Sequence, residues 1–133
     1  MSKRRSIYTS GFSHRNPIPA ACRIGNLLVT GVINGSDPET GRIPDSLDDQ
    51  CRLLFAQIRS IVQAAGGTTS DIVKVTVWLK DRTQKEALNR EWLAMFPDPQ
   101  DRPARHTPPG GGLEAPRLIQ ADFMAVLDTP ANA

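Results

Sequence analysis

The run Arg102-Pro103-Ala104-Arg105 sets an arginine two residues after a proline. A guanidinium offers a planar fork that meets a carboxylate through two parallel hydrogen bonds. A fork mounted on a rigid element loses little entropy when it takes its anion. The same side chain can instead pair with Asp101 or Glu114, and the residues alone leave both readings open. A functional reading makes the neighbouring His106 a proton donor. On a strand, however, neighbours point to opposite faces, which separates it from Arg105 and leaves it a structural role. Gly110-Gly111-Gly112 can turn successive backbone N–H groups toward an anion, or can form a surface turn. Cys22 and Cys51 form no C-x-x-C pair, and with His14 and His106 they have no spacing that suits zinc. Two free thiols in a reducing cytoplasm are expected, with a disulfide as the alternative.

These residues need a scaffold, and 133 residues are enough for one domain with one core. Hydrophobic residues at 39% and charged residues at 23% are globular values, which argues against wholesale disorder. The net charge of +2 excludes a strongly basic nucleic-acid scaffold. Residues 1–36 carry Lys3, Arg4, Arg5, Arg15 and Arg23 without an acid, so the remainder is net acidic. A basic arm over 1–16 and a loose tail over 128–133 are expected to flank the domain. No apolar run reaches the ~18 residues of a membrane span. After Lys3-Arg4-Arg5, the polar residues Ser6, Tyr8, Thr9, Ser10 and Ser13 break any signal-peptide core.

Periodicity predicts the elements. Ala20–Ile24 and Leu27–Thr30 read as strands around a Gly25-Asn26 turn. Ser46 caps a helix whose apolar face runs through Leu47, Cys51, Leu54, Phe55, Ile58, Ile61, Val62 and Ala65, ending at Gly66-Gly67. Ile72–Leu79 alternates, with Val73, Val75, Val77 and Leu79 on one face and Ile72, Lys74, Thr76 and Trp78 on the other. Thr83 and Glu86 make a capping box for a second helix with Leu88, Trp92, Met95 and Phe96 inward. Leu118–Leu127 reads as a closing strand. The order β-β-α-β-α-β describes an α+β layer fold, with both helices on one face of a largely antiparallel or mixed sheet.

In that order, "RIGNLLVTG", "DPETGRIP", "IVQAAGGTTSDIVKVTVWLKD", "LNREW", "RPAR" and "ADFMAV" resemble the YjgF/RidA (reactive intermediate deaminase) family, formerly labelled endoribonuclease L-PSP, from about Pro17 to Leu127. The resemblance implies a chorismate-mutase-like subunit in a homotrimer, with the sheets as a central barrel and three clefts between subunits. It implies cofactor-free hydrolysis of small imines and enamines to keto acids and ammonia. Arg105 then grips the substrate carboxylate, Thr30 and Gly31 help hold it, and Asn89 lies near the cleft. The Thr107 carbonyl orients a water from a position that is cysteine in many deaminases.

The chain also departs from that pattern. The water-activating glutamate falls on Gln120, whose carboxamide orients a water but accepts no proton. Asp122, two residues on, replaces it if the register differs. Two family aromatics fall on Ile18 and Lys85, and Pro108–Gly112 replaces an apolar, strand-like segment. The functions to weigh are therefore a deaminase, a repurposed module that binds a small carboxylate, and an endoribonuclease. Tyr8, the sole tyrosine, lies in the arm, and with so low a charge the chain lacks an aromatic–basic platform for RNA.

Overall fold

A computed structural model describes residues 3–9 and 16–128. Seven strands form one sheet: β1 (Arg4–Ile7), β2 (Ala21–Ile24), β3 (Leu27–Thr30), β4 (Ile33–Asn34), β5 (Ile72–Leu79), β6 (Ala104–His106) and β7 (Ile119–Val126). Two helices, α1 (Leu47–Ala64) and α2 (Glu86–Met95), cover one face. The strand order is β1-β2-β3-β7-β5-β6, with β4 also on β7. Only β5 and β6 are parallel, joined by the α2 crossover. The architecture is the expected α+β layer fold.

α1 follows its sequence closely. The Ser46 hydroxyl accepts the Asp49 N–H at 3.1 Å. At the other end Gly66 adopts φ +92°. The Gly66 and Gly67 N–H groups return to the Gln63 and Val62 carbonyls, a Schellman closure that needs the left-handed residue glycine supplies. Arg23, 2% exposed on β2, donates from Nη1 to the Ala65 carbonyl and from Nε to that of Gly25. A cation thus sits at the negative end of the helix dipole.

Three expectations fail for identifiable reasons. Part of the arm expected over 1–16 is β1, antiparallel to β2, with Ile7 buried against the core. Four residues carry little periodicity, and β1 has no tight turn beside it like the Gly25-Asn26 turn that marks β2 and β3. Residues 1–2 and 10–15 of that arm, His14 included, and the tail beyond Asp128 lie outside the described residues. In β5 the register shifts between Ile72 and Lys74, so Ile72 is buried and Val73 is 53% exposed. One extra residue turns the strand over, and Val73 leaves the face of Val75, Val77 and Leu79. The Thr83–Glu86 capping box does not form. Asp81 Oδ1 accepts both the N–H and the hydroxyl of Thr83, closing a turn after β5. α2 therefore begins at Glu86, and its N-cap Lys85 makes no capping bond.

Both cysteines are free thiols. Burial, followed by the Glu91 and Asp48 carboxylates, pushes the Cys51 thiol up to about 12, with Arg90 opposing. Alkylation of the native protein at pH 8 is expected to leave Cys51 unmodified, because the thiolate is the nucleophile. Denaturant should expose it, and peptide mass spectrometry reads the difference.

Candidate functional site

Register decides which side chains can cooperate. Val75 faces the helices, and Arg105 lies beside it in the parallel β5–β6 pair, hence on the same face. There α2 meets it with residues one turn apart. Arg105 Nη2 donates to Asn89 Oδ1 at 2.9 Å. The guanidinium carbon lies 4.9 Å from the centre of the Trp92 ring, within cation–π range. Trp92 is braced edge-on by Phe96, with ring centroids 4.8 Å apart. Arg105 Nη1 is buried with no hydrogen-bond partner among the described residues. Burial also draws the guanidinium pKa below its ordinary value. The side chain stays cationic at neutral pH.

So Arg105 forms no ion pair with Asp101 or Glu114. It is a half-buried cation whose plane is set by an amide oxygen and an indole face, with donors left over. Trp92 reads from sequence as a core residue only, and it is one. Its second role, as a platform under the cation, is invisible without the pairing of β6.

Gln120 and Asp122 lie elsewhere. They pair with Trp78 and Thr76 and so face away from the helices, on the side opposite Arg105. His106 pairs with Thr76 from the other side, which places it on that open face as the strand alternation requires. Burial raises the Asp122 pKa, while the Thr76 hydroxyl and Lys74 offset part of the shift. The folded chain therefore holds this proton more tightly than the unfolded chain does. Stability falls as pH rises above the ordinary carboxyl range and stays lower at neutral pH. D122N is expected to raise the melting temperature at pH 7 by about 1–2 °C and to give no gain at pH 3. Solvent screening at this exposure limits the effect to a few tenths of a kcal/mol.

Thr30 and Gly31 sit at the far end of β3, three strands from β6. Their donors are already committed. The Thr30 hydroxyl donates to the Gly31 carbonyl at 2.8 Å and accepts the Phe123 N–H at 3.0 Å. The Gly31 N–H donates to the Ala20 carbonyl at 3.0 Å. Within one chain neither has a proton to give a carboxylate. The reason lies in β7, which pairs with β3 up to Val29–Met124 and with β4 from Ile33–Ala121 onward. The Thr30 hydroxyl fills the gap between them.

Thr107 follows β6, half-buried, and Ile18 is 45% exposed outside the strands. Gly110 donates to the Leu79 carbonyl, and a Cβ there would lie 2.4 Å from that oxygen. The start of the glycine run is thus packed against β5, while Gly111 and Gly112 are open. Among the described residues no three His, Cys, Asp or Glu side chains gather as metal ligands. No helix among them is long and apolar enough to cross a membrane.

The endoribonuclease L-PSP family profile matches residues 5–124. A RutC family protein of Pyrococcus horikoshii is 32% identical over 110 residues, 82% of this chain and 86% of that one. The 2-iminobutanoate/2-iminopropanoate deaminase of Escherichia coli is 34% identical over 73 residues, 55% of this chain and 57% of that protein, so this match spans less than two thirds of its length. The crystal structure of Escherichia coli TdcF with bound serine superposes with a TM-score of 0.83 at 27% identity, covering 92% of this chain and 98% of that one. With its α+β, chorismate-mutase-like architecture, the chain belongs to the endoribonuclease L-PSP family, the YjgF/RidA family that its motifs resemble.

Proposed function

We propose that the protein hydrolyses a small imine or enamine carboxylate to the keto acid and ammonia, in a cleft anchored by Arg105. One observation carries the reading. Asn89 and Trp92 hold the guanidinium while Nη1 has no partner among the described residues, which leaves a fork donor uncommitted and supports a grip on an anion. The deaminase relative supports the substrate class, and the serine-bound TdcF supports a cleft sized for a small amino-acid-like molecule.

The reaction in this reading uses no metal or organic cofactor. An iminium carbon is already electrophilic, so fixing substrate and water supplies much of the acceleration. Water adds to that carbon, a proton passes from the new hydroxyl to nitrogen, and the C–N bond breaks as the carbonyl forms. The Thr107 carbonyl and Gln120 or Asp122 orient the water. Gln120 and Asp122 lie on the sheet face opposite Arg105. A cleft that uses both is therefore closed by an adjoining copy.

The open sheet face supports such self-association, in a homotrimer. Leu27 faces Val126 and Val29 faces Met124 across the β3–β7 pair, and all four are between 42% and 51% exposed. An apolar sheet face of this kind is normally covered. Light scattering should report three times the 14.5 kDa chain mass. A single-chain mass would remove the shared cleft.

The activity test is direct. 2-Iminobutanoate is generated in situ, and its loss is followed with and without the protein. Acceleration over buffer supports the reading. Its absence across several amino-acid-derived imines would leave a carboxylate-binding module. That second reading is favoured by Gln120, which cannot take a proton from water.

A further inference from the structure

The face of α2 that holds Arg105 begins one turn earlier than Asn89. The Asn89 N–H donates to the Lys85 carbonyl at 2.8 Å, so the two residues are a full α-helical turn apart. Side chains at that spacing lie on one face with Cβ atoms ~5–6 Å apart. Lys85, Asn89 and Trp92 thus form one stripe, and the contacts of the last two fix its direction, toward Arg105. Lys85 also lies at the end of the β5–α2–β6 crossover where both parallel strands finish. Crevices beyond the carboxyl ends of parallel strands are where such units take ligands.

The Lys85 ammonium has no claim on it. The side chain is half-buried and makes no hydrogen bond or ion pair among the described residues. The nearest carboxylates along the chain are engaged elsewhere. Asp81 accepts from Thr83, and Glu86 lies 3.7 Å from Arg90. A lysine can lay its stem along the protein and carry its charge free at the tip. The Arg105 side of α2 therefore carries two cations, a fixed fork held at Asn89 and, one helical turn before Asn89, a flexible point charge.

We propose that Lys85 is a specificity residue of the Arg105 cleft and selects imines that carry a second carboxylate distal to the one on the iminium carbon. The inference rests on the deaminase reading, and names its substrate class as the 2-imino dicarboxylates formed from acidic amino acids. The fork takes the carboxylate next to the reacting carbon, where geometry matters most. The lysine takes the distal one, where a point charge on a flexible stem tolerates more than one chain length.

Imines made in situ by amino-acid oxidases from glutamate and aspartate are compared with those from alanine and 2-aminobutyrate. The wild-type protein is expected to show a kcat/KM at least tenfold higher on the dicarboxylates. K85M should lower that ratio at least tenfold, and K85R should retain most of it. Thermal unfolding confirms that the variants are folded. A wild-type preference for monocarboxylates, or a K85M ratio equal to that of wild type, overturns the proposal while leaving the deaminase reading intact. If no imine is turned over, the deaminase reading fails and calorimetry decides on Lys85 alone. Tighter binding of 2-oxoglutarate than of 2-oxobutanoate, lost in K85M, supports it. Equal affinities, or no binding of either, overturn it.

Discussion

R105A should lower kcat/KM for imine hydrolysis by two to three orders of magnitude, with most of the change in KM. A hydrogen bond to a charged group contributes about 1.5–3 kcal/mol, and a fork makes two. A combined loss of about 3–4 kcal/mol corresponds to a factor of 10² to 10³. A carboxylate grip is present in ground and transition states alike, so its removal weakens binding more than it slows chemistry. R105K should recover little, because an ammonium cannot reproduce the planar pair or lie flat on the Trp92 ring. Stability is the control. Arg105 is half-buried and makes one hydrogen bond and one ring contact, so R105A should change folding by no more than about 1 kcal/mol. A variant with wild-type KM would show that the fork does not hold the substrate.

Q50A should be among the most destabilising single changes in the chain. Gln50 is fully buried on α1, and all its polar atoms are engaged. Its Nε2 donates to the Pro44 and Pro116 carbonyls at 2.7 and 2.8 Å, and its Oε1 accepts the Leu118 N–H at 2.9 Å. Truncation strands three backbone groups at about 1–3 kcal/mol each and opens a cavity beside them. These losses overlap, and a net 3–5 kcal/mol is expected, roughly a 10–15 °C fall in melting temperature. Q50M separates the two causes. It keeps the volume and loses the bonds, so it should be nearly as unstable as Q50A. A near-wild-type Q50M would mean that the site needs only filling. The residue ties the entry to α1 and the entry to β7 to one point, and so holds the far end of the loop that starts at Thr107.

The order of the main elements is legible from sequence because each repeats its signal. α1 shows its apolar face over five turns, and β7 alternates through eight residues from Ile119 to Val126. What escapes is short or set at a distance. β4 and β6 have two and three residues, too few for a period to register, and β1, as short as β2 and β3, lacks the tight turn that marks those two. The bulge at Val73 leaves no local mark, because Ile72 and Val73 are equally at home inside. At the site, the pairing of Arg105 with Asn89 follows the "LNREW" and "RPAR" motifs. Its geometry needs β6 in register with β5, a parallel pairing across a 24-residue connection. The commitment of Thr30 to Phe123 depends on a contact 93 residues apart, and no pattern near Thr30 announces it.

That last contact limits what evolution can write at position 30. Where β3 leaves off and β4 has not begun, a side-chain oxygen does the work of a missing peptide carbonyl. Serine can play the same part. Valine has almost the outline of threonine and cannot, because it offers the Phe123 amide no oxygen. In this fold a single hydroxyl lets the chain step out of one strand and into the next without opening the seam along its longest neighbour.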